Sequence, residues 1–219
     1  MKAAAVVLML CSAIAFAQGT DQSVSQAPAS QTNPAKEKPR MTFEESLPAT
    51  SLHKGAWDFG VWAQGGHSVS GGVSKTAVFD AGLRLGKVLT GQHGSGWLRG
   101  NLEYAGDLIP IYVLSGPVNT AYGVSIDPFV MKWNFTGGKR LAPYMELGGG
   151  VLFTNTEVPF RTSNINFTSQ AALGMHIFTR EKRSVTLDFK YVHISNAGMS
   201  VPNPGINTLQ FGIGYHWMK

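Results

Sequence analysis

Cysteine is nearly missing from this chain: its 219 residues hold one, Cys11, inside the apolar stretch at the start. That number builds no disulfide framework and no cysteine-based metal site. Charge is scarce as well, at 14% Asp, Glu, Lys and Arg, which is low for a surface kept in water. The formal net charge of +5 falls to +4 without Lys2, and the remaining Lys and Arg form no dense cluster interleaved with aromatics, which speaks against a nucleic-acid partner. Beyond the first segment no long apolar run exists. The longest, Leu108 to Leu114, is interrupted by Pro110 and falls far short of the roughly 20 residues of a membrane helix. A membrane-spanning protein made from this chain has to be a barrel.

What is present begins with an export signal. Lys2, an apolar run from Ala3 through Ile14 and the small-residue site Ala15-Phe16-Ala17 read as a signal peptide over residues 1–17. Cys11 follows Leu10 and not a small residue, which argues against a lipoprotein. Residues 18–53 are rich in Ser, Thr, Gln, Pro and Ala, with one mixed charge run, Lys36-Glu37-Lys38-Pro39-Arg40, and are expected as a disordered periplasmic linker.

From residue 54 to 219 the chain falls into eight alternating segments, rich in Gly (26) and aromatic residues (12 Phe, 6 Tyr, 5 Trp). One series is apolar, as in Phe79, Ala81, Leu83 and Leu85 of the second segment or Val185, Leu187, Phe189 and Tyr191 of the seventh. The other is Gly, Thr, Gln and Asn with occasional charges: Asp80, Arg84, Arg99, Glu103, Glu146, Asp188 and Lys190. A soluble barrel would put charge outside; small polar groups suit a narrow packed lumen, and the apolar series then faces lipid. The expected fold is all-β, an eight-stranded antiparallel transmembrane β-barrel, with a break in the fourth strand at Pro128. With the N-terminus in the periplasm, short turns at 136–140 and 180–183 face inward. Gly106 to Ala121 and Thr154 to Asn164 are expected among the long outer connections.

The site candidate is the stretch His193-Ile194-Ser195-Asn196-Ala197-Gly198-Met199-Ser200-Val201-Pro202-Asn203-Pro204-Gly205-Ile206-Asn207. His193 and Ser195 share the lipid-facing parity of the seventh strand, and Asn207 opens the same row on the eighth. A base two residues from a serine suits a serine nucleophile, although their Cα atoms would stand roughly 7 Å apart, so an irregularity after Ser195 is expected to help close the hydrogen bond. The run resembles the outer-membrane lipid A 3-O-deacylase family of the PagL type, matching its motif at His193, Ser195, Asn196, Gly198, Pro202, Asn203 and Gly205. It departs at Asn207, where the family pattern carries Glu.

The resemblance implies an esterase acting on lipid A of lipopolysaccharide in the outer leaflet of the outer membrane, with Ser195 as nucleophile, His193 as general base, Asn207 orienting His193, and Asn196 with Gly198 at the oxyanion hole. It implies no metal and no cofactor. An amide at 207 can fix the tautomer of His193 but brings no negative charge to its cation, so an acid there is expected to work faster. Lipid is the expected partner, and a second copy of the chain is an allowed one. The rivals are a structural or adhesive outer-membrane barrel with a degenerate site and a soluble secreted ligand-binding barrel. His176 and His216 share the lumen parity and read as satisfied interior histidines; His53, His67 and His93 lie in loops or edges without metal-ligand spacing. Gly138-Lys139 is a turn, not a phosphate loop.

Overall fold

The computed structural model describes residues 46–219, so the expected signal and the expected linker up to residue 45 lie outside the described residues. Eight strands follow: β1 (Trp57–Val69), β2 (Ala77–Val88), β3 (Gly100–Ser115), β4 (Thr120–Phe135), β5 (Leu141–Thr154), β6 (Ile165–Arg180), β7 (Arg183–Ser195) and β8 (Ile206–Met218). Each pairs antiparallel with its neighbour in sequence, and β1 pairs with β8, so the sheet closes.

The side chains alternate as the sequence pattern requires. On β2, Phe79, Leu83 and Leu85 are half exposed on the outside, while Asp80 and Arg84 between them are buried. Leu147, Leu173 and Phe129 extend the same apolar exterior around the barrel. Apolar outside and polar inside is the arrangement of a transmembrane β-barrel.

The lumen is filled in layers. Its middle is an ion network: Arg84 bonds Asp107 at 2.8 and 2.7 Å and Glu146 at 2.6 and 3.0 Å, and Lys190 approaches Glu146 at 3.6 Å. Nearer the end that holds both chain termini of the barrel, Lys132 lies 3.2 Å from Asp58 and 2.9 Å from Glu103. The two lumen histidines belong here, His216 on Asp58 at 2.9 Å and His176 on Ser184 at 2.9 Å. Space is tight enough that a Cβ at Gly60 would meet the His216 ring at 2.7 Å. Apolar plugs close both sides of the network, one of Leu52, Val88, Phe178 and Met218, the other of Ile109, Tyr112, Leu152, Ile194 and Ile206.

The linker expected through residue 53 ends earlier than that. Leu47–Ser51 form a short helix, α1, whose N-cap Ser46 accepts from the Ala49 N–H at 3.3 Å and donates to the Gly138 carbonyl at 2.6 Å. The fully buried Leu52 then stoppers the barrel, its carbonyl bonded by Asn101. Burial of one leucine and two cap bonds, invisible in a polar composition, orders this piece.

Gly106 to Ala121 is strand and not a long connection: β3 runs to Ser115, β4 starts at Thr120, and only residues 116–119 turn. Register shifts between Ala105 and Asp107 and between Ile109 and Tyr112 reset the alternation twice, so no single period of two spans the segment. A 3₁₀ turn, Gly96–Leu98, precedes β3. Residues 89–99 connect β2 to β3 at the opposite end from 116–119, so connection length does not separate the two ends as expected. Residues 155–164 and 196–205 remain long. A register shift between Ile126 and Phe129 falls at the break expected from Pro128.

Arg84 carries the central network. Arg84→Ala would leave Asp107 and Glu146 buried without their main partner and should cost about 3–5 kcal/mol. On gels this should appear as loss of the fast-migrating folded form at a lower temperature than wild type, whereas the exposed Arg180→Ala should barely move it.

Candidate active site

Strand β7 ends at Ser195 and β8 begins at Ile206, and their ladder sets His193 opposite Asn207. On the other side β6 sets Ser169 opposite His193 and Phe167 opposite Ser195. The outward row around these groups is apolar, with Ile165, Phe167, Tyr191 and Leu209 about half exposed. Three polar side chains therefore sit together on a lipid-facing wall, near the end of the barrel where the 155–164 and 196–205 connections lie.

They are joined in one line. Asn207 Oδ1 lies 2.6 Å from His193 Nδ1, and His193 Nε2 lies 3.0 Å from Ser195 Oγ. Asn207 Nδ2 donates to the Ser70 carbonyl at 3.2 Å. These contacts assign the hydrogens. A carbonyl can only accept, so Nδ2 must face Ser70 and Oδ1 must face His193; Oδ1 can only accept, so the proton is on Nδ1. His193 Nε2 is then a lone pair, and it accepts the Ser195 hydroxyl proton. The tautomer a general base needs follows from the hydrogen-bond inventory alone.

The chain reverses immediately after Ser195. Ala197 has φ 53 and Gly198 φ 82, an irregularity at the place the sequence spacing requires. Gly205, at φ 66, closes the loop against the site: a Cβ there would come 3.0 Å from His193 Cε1 and 3.7 Å from Ser195 Cβ. Only glycine suits both the backbone conformation and the space.

Asn196 and Gly198 are adjacent to the line but turned into the loop. Asn196 is 1% exposed. Its Nδ2 donates to Ser200 Oγ at 3.0 Å and to the Ser200 carbonyl at 3.2 Å, its Oδ1 accepts the Gly198 N–H at 2.9 Å, and its own N–H donates to Asn203 Oδ1 at 3.2 Å. Ser200 Oγ in turn donates to the Thr162 carbonyl at 2.7 Å, tying the loop to the 155–164 connection. Asn196 is thus the hub of the loop, and the donors expected at an oxyanion hole are engaged within it.

Two groups at the site had no role in the sequence reading. Asn203 stood in the motif but without a task. Ser70 had no signal at all, since it contributes only a main-chain carbonyl from residues 70–76 between β1 and β2. His67, read as a loop or edge residue, lies within β1, exposed on the outer face and paired with Leu209, because β1 runs on to Val69. His53 lies past α1 with Nδ1 3.1 Å from the Thr50 carbonyl, and His93 makes an isolated bridge with Gly100. Among the described residues no group of three or more His, Cys, Asp or Glu is arranged to hold a metal.

Comparison with known proteins agrees with this architecture. The chain resembles the solved structure of the outer membrane enzyme PagL at 20% identity and a TM-score of 0.54, over 71% of this chain and 97% of that one. It is also similar to the N-terminal β-barrel domain of Pseudomonas aeruginosa OprF, at 13% identity and a TM-score of 0.47 over 75% of this chain and 98% of that one. The outer membrane protein OprG from the same organism matches at 12% identity and a TM-score of 0.43, over 76% and 97%. No curated protein matches the chain in sequence. The profile of the family described as lipid A 3-O-deacylase (PagL) matches residues 80–216, from β2 through β8 and across the whole His193 to Asn207 stretch. The chain belongs to the PagL lipid A 3-O-deacylase family.

Proposed function

We propose that this protein is a serine esterase of the outer membrane that hydrolyses an acyl ester of lipid A in the outer leaflet. The observation that carries the reading is the hydrogen-bonded line from Ser195 through His193 to Asn207, on the apolar outer wall of the barrel. Polar groups on that wall are costly unless used, and a lipid ester is reached only from there. The family's description supplies the substrate class.

The chemistry follows from the proton positions. Ser195 Oγ attacks the ester carbonyl while its proton passes to His193 Nε2, and the imidazolium is held by the Nδ1–H bond to Asn207 Oδ1. Collapse of the tetrahedral intermediate breaks the bond to the sugar oxygen, which takes the proton from Nε2. Water then attacks the acyl-Ser195 ester with His193 again as base, releasing the fatty acid and restoring Ser195. The oxyanion would lie beside the start of the 196–205 loop. Asn196 and Gly198 are proposed to serve it, with the Gly198 N–H exchanging its bond to Asn196 Oδ1 for the developing charge.

Mass spectrometry of lipid A from cells with and without the protein tests the reading. Loss of one 3-hydroxy fatty acid is expected with wild type and none with Ser195→Ala, whose barrel should still fold; equal deacylation by Ser195→Ala would remove Ser195 from the mechanism. An unmodified lipid A in wild-type cells would instead favour the non-catalytic barrel.

Asn207→Ala frees the His193 ring to take either tautomer. Turnover should fall, by up to about 10⁴ by analogy with the wrong-tautomer variant of serine proteases. Full activity in that variant would place Asn207 outside the mechanism.

The proposed orientation puts the 196–205 loop outside the cell. A cysteine at the exposed Val201 should be labelled by an impermeant thiol reagent on intact cells, and one at Glu181 should not. The opposite pattern would put the site in the wrong leaflet.

A further inference from the structure

The amide of Asn207 has to be turned one way for His193 to carry its proton on Nδ1. An amide's oxygen and nitrogen are nearly equal in size, so packing alone would accept either orientation. The group that decides is the Ser70 carbonyl, an acceptor only, 3.2 Å from Nδ2 and 137 positions away in sequence. It arrives there because the ladder between β1 and β8 ends at Val69 opposite Asn207. The loop bearing it is fastened at the same seam. The Val73 N–H donates to the Gly205 carbonyl at 2.9 Å, the Ser68 N–H donates to the Thr76 carbonyl at 2.8 Å, and the Thr76 N–H donates to Ser68 Oγ at 3.0 Å. Gly71, at φ +103, lets the loop lie close: a Cβ there would stand 2.6 Å from Asn207 Nδ2.

We propose that the β1–β2 loop is a positioning element for the general base: the Ser70 carbonyl holds the Asn207 amide, and the amide holds His193 as the Nδ1–H tautomer. The consequence for turnover rests on the esterase reading; the geometry does not. The loop also explains why an amide stands at 207. A carboxylate there would set a second oxygen against the Ser70 carbonyl oxygen, acceptor against acceptor, and the loop would lose the donor that ties it to the site. This reverses the sequence-based expectation that an acid at 207 works faster. The negative charge is gained only by giving up the contact that aims it.

The test is a spectroscopic one joined to kinetics. In barrels labelled with ¹⁵N-histidine, at a pH where imidazoles are neutral, the His193 ring signals can be identified by their loss in His193→Gln. Wild type should show the Nδ1–H tautomer alone. Gly71→Ala, which pushes on Asn207 Nδ2, should mix in the Nε2–H form and lower kcat about ten- to a hundredfold with KM unchanged. Gly91→Ala, in the connection at the other end with open space around it, should change neither. Asn207→Asp, close in size to the native side chain, should not exceed wild-type turnover. An Nε2–H tautomer in wild type, an unshifted tautomer in a folded Gly71→Ala barrel, or an Asn207→Asp enzyme faster than wild type would each overturn the proposal; the first and third hold even if Gly71→Ala does not fold. If the tautomers behave as expected while no fatty acid is released by any variant, the esterase reading fails and the positioning role stands.

Discussion

Closure of the sheet by β1 on β8 is the constraint on which everything else depends. In hydrocarbon an unpaired strand edge has no water to satisfy its N–H and C=O groups, and each such group costs several kcal/mol, so the last strand must find the first. The ladder that results runs from Asp58 opposite Met218 to Val69 opposite Asn207. One end of this seam meets the plug built from α1 and Leu52; the other carries the hydrogen-bonded line of Asn207, His193 and Ser195. A demand of the bilayer on the backbone therefore brings the first loop of the barrel, with Ser70, beside Asn207.

The two polar assemblies of the molecule are opposite solutions to burial. In the lumen, Arg84 is shared between Asp107 and Glu146, and Lys132 between Asp58 and Glu103, so every one of these buried charges has an opposite charge beside it. Their work is to fill a narrow barrel with groups that cannot be left alone. On the outside, Ser195, His193 and Asn207 are also mutually bonded, but their line ends on a hydroxyl at an apolar surface. Neutral groups joined by hydrogen bonds are far cheaper against lipid than a charge, and an amide at 207 adds none where an acid would. The chain of donors and acceptors from Ser70 to Ser195 leaves each of its atoms with a partner.

Much of this was legible in sequence where a single period held. The apolar row Val185, Leu187, Phe189 and Tyr191 announces an outward face, and His193 and Ser195 continue it without a break, so their wall could be read from parity. The same rule failed in β3. Two bulges between Ala105 and Tyr112 shift which residues point inward, so Ile109, Tyr112 and Leu114 read as loop although they plug the lumen. It failed again at residues 46–52, where the polar composition of a linker hides a helix cap and one fully buried leucine.

What the sequence by itself determined is what depends on neighbours along the chain: the number of strands, the face a side chain takes where the two-residue repeat is unbroken, and the pairing of a histidine with a hydroxyl two residues on. Those follow from a two-residue repeat and from side chains with recognisable chemistry. Only the tertiary structure decided what depends on distant backbone. Asn207 acquires its orientation from a carbonyl that every residue possesses and no residue type advertises, and Asn196 spends its amide on loop partners set by the path of residues 196–205. A main-chain acceptor has no signature in a string of letters; it becomes specific when closure of the barrel carries it to within a hydrogen bond of the side chain it orients.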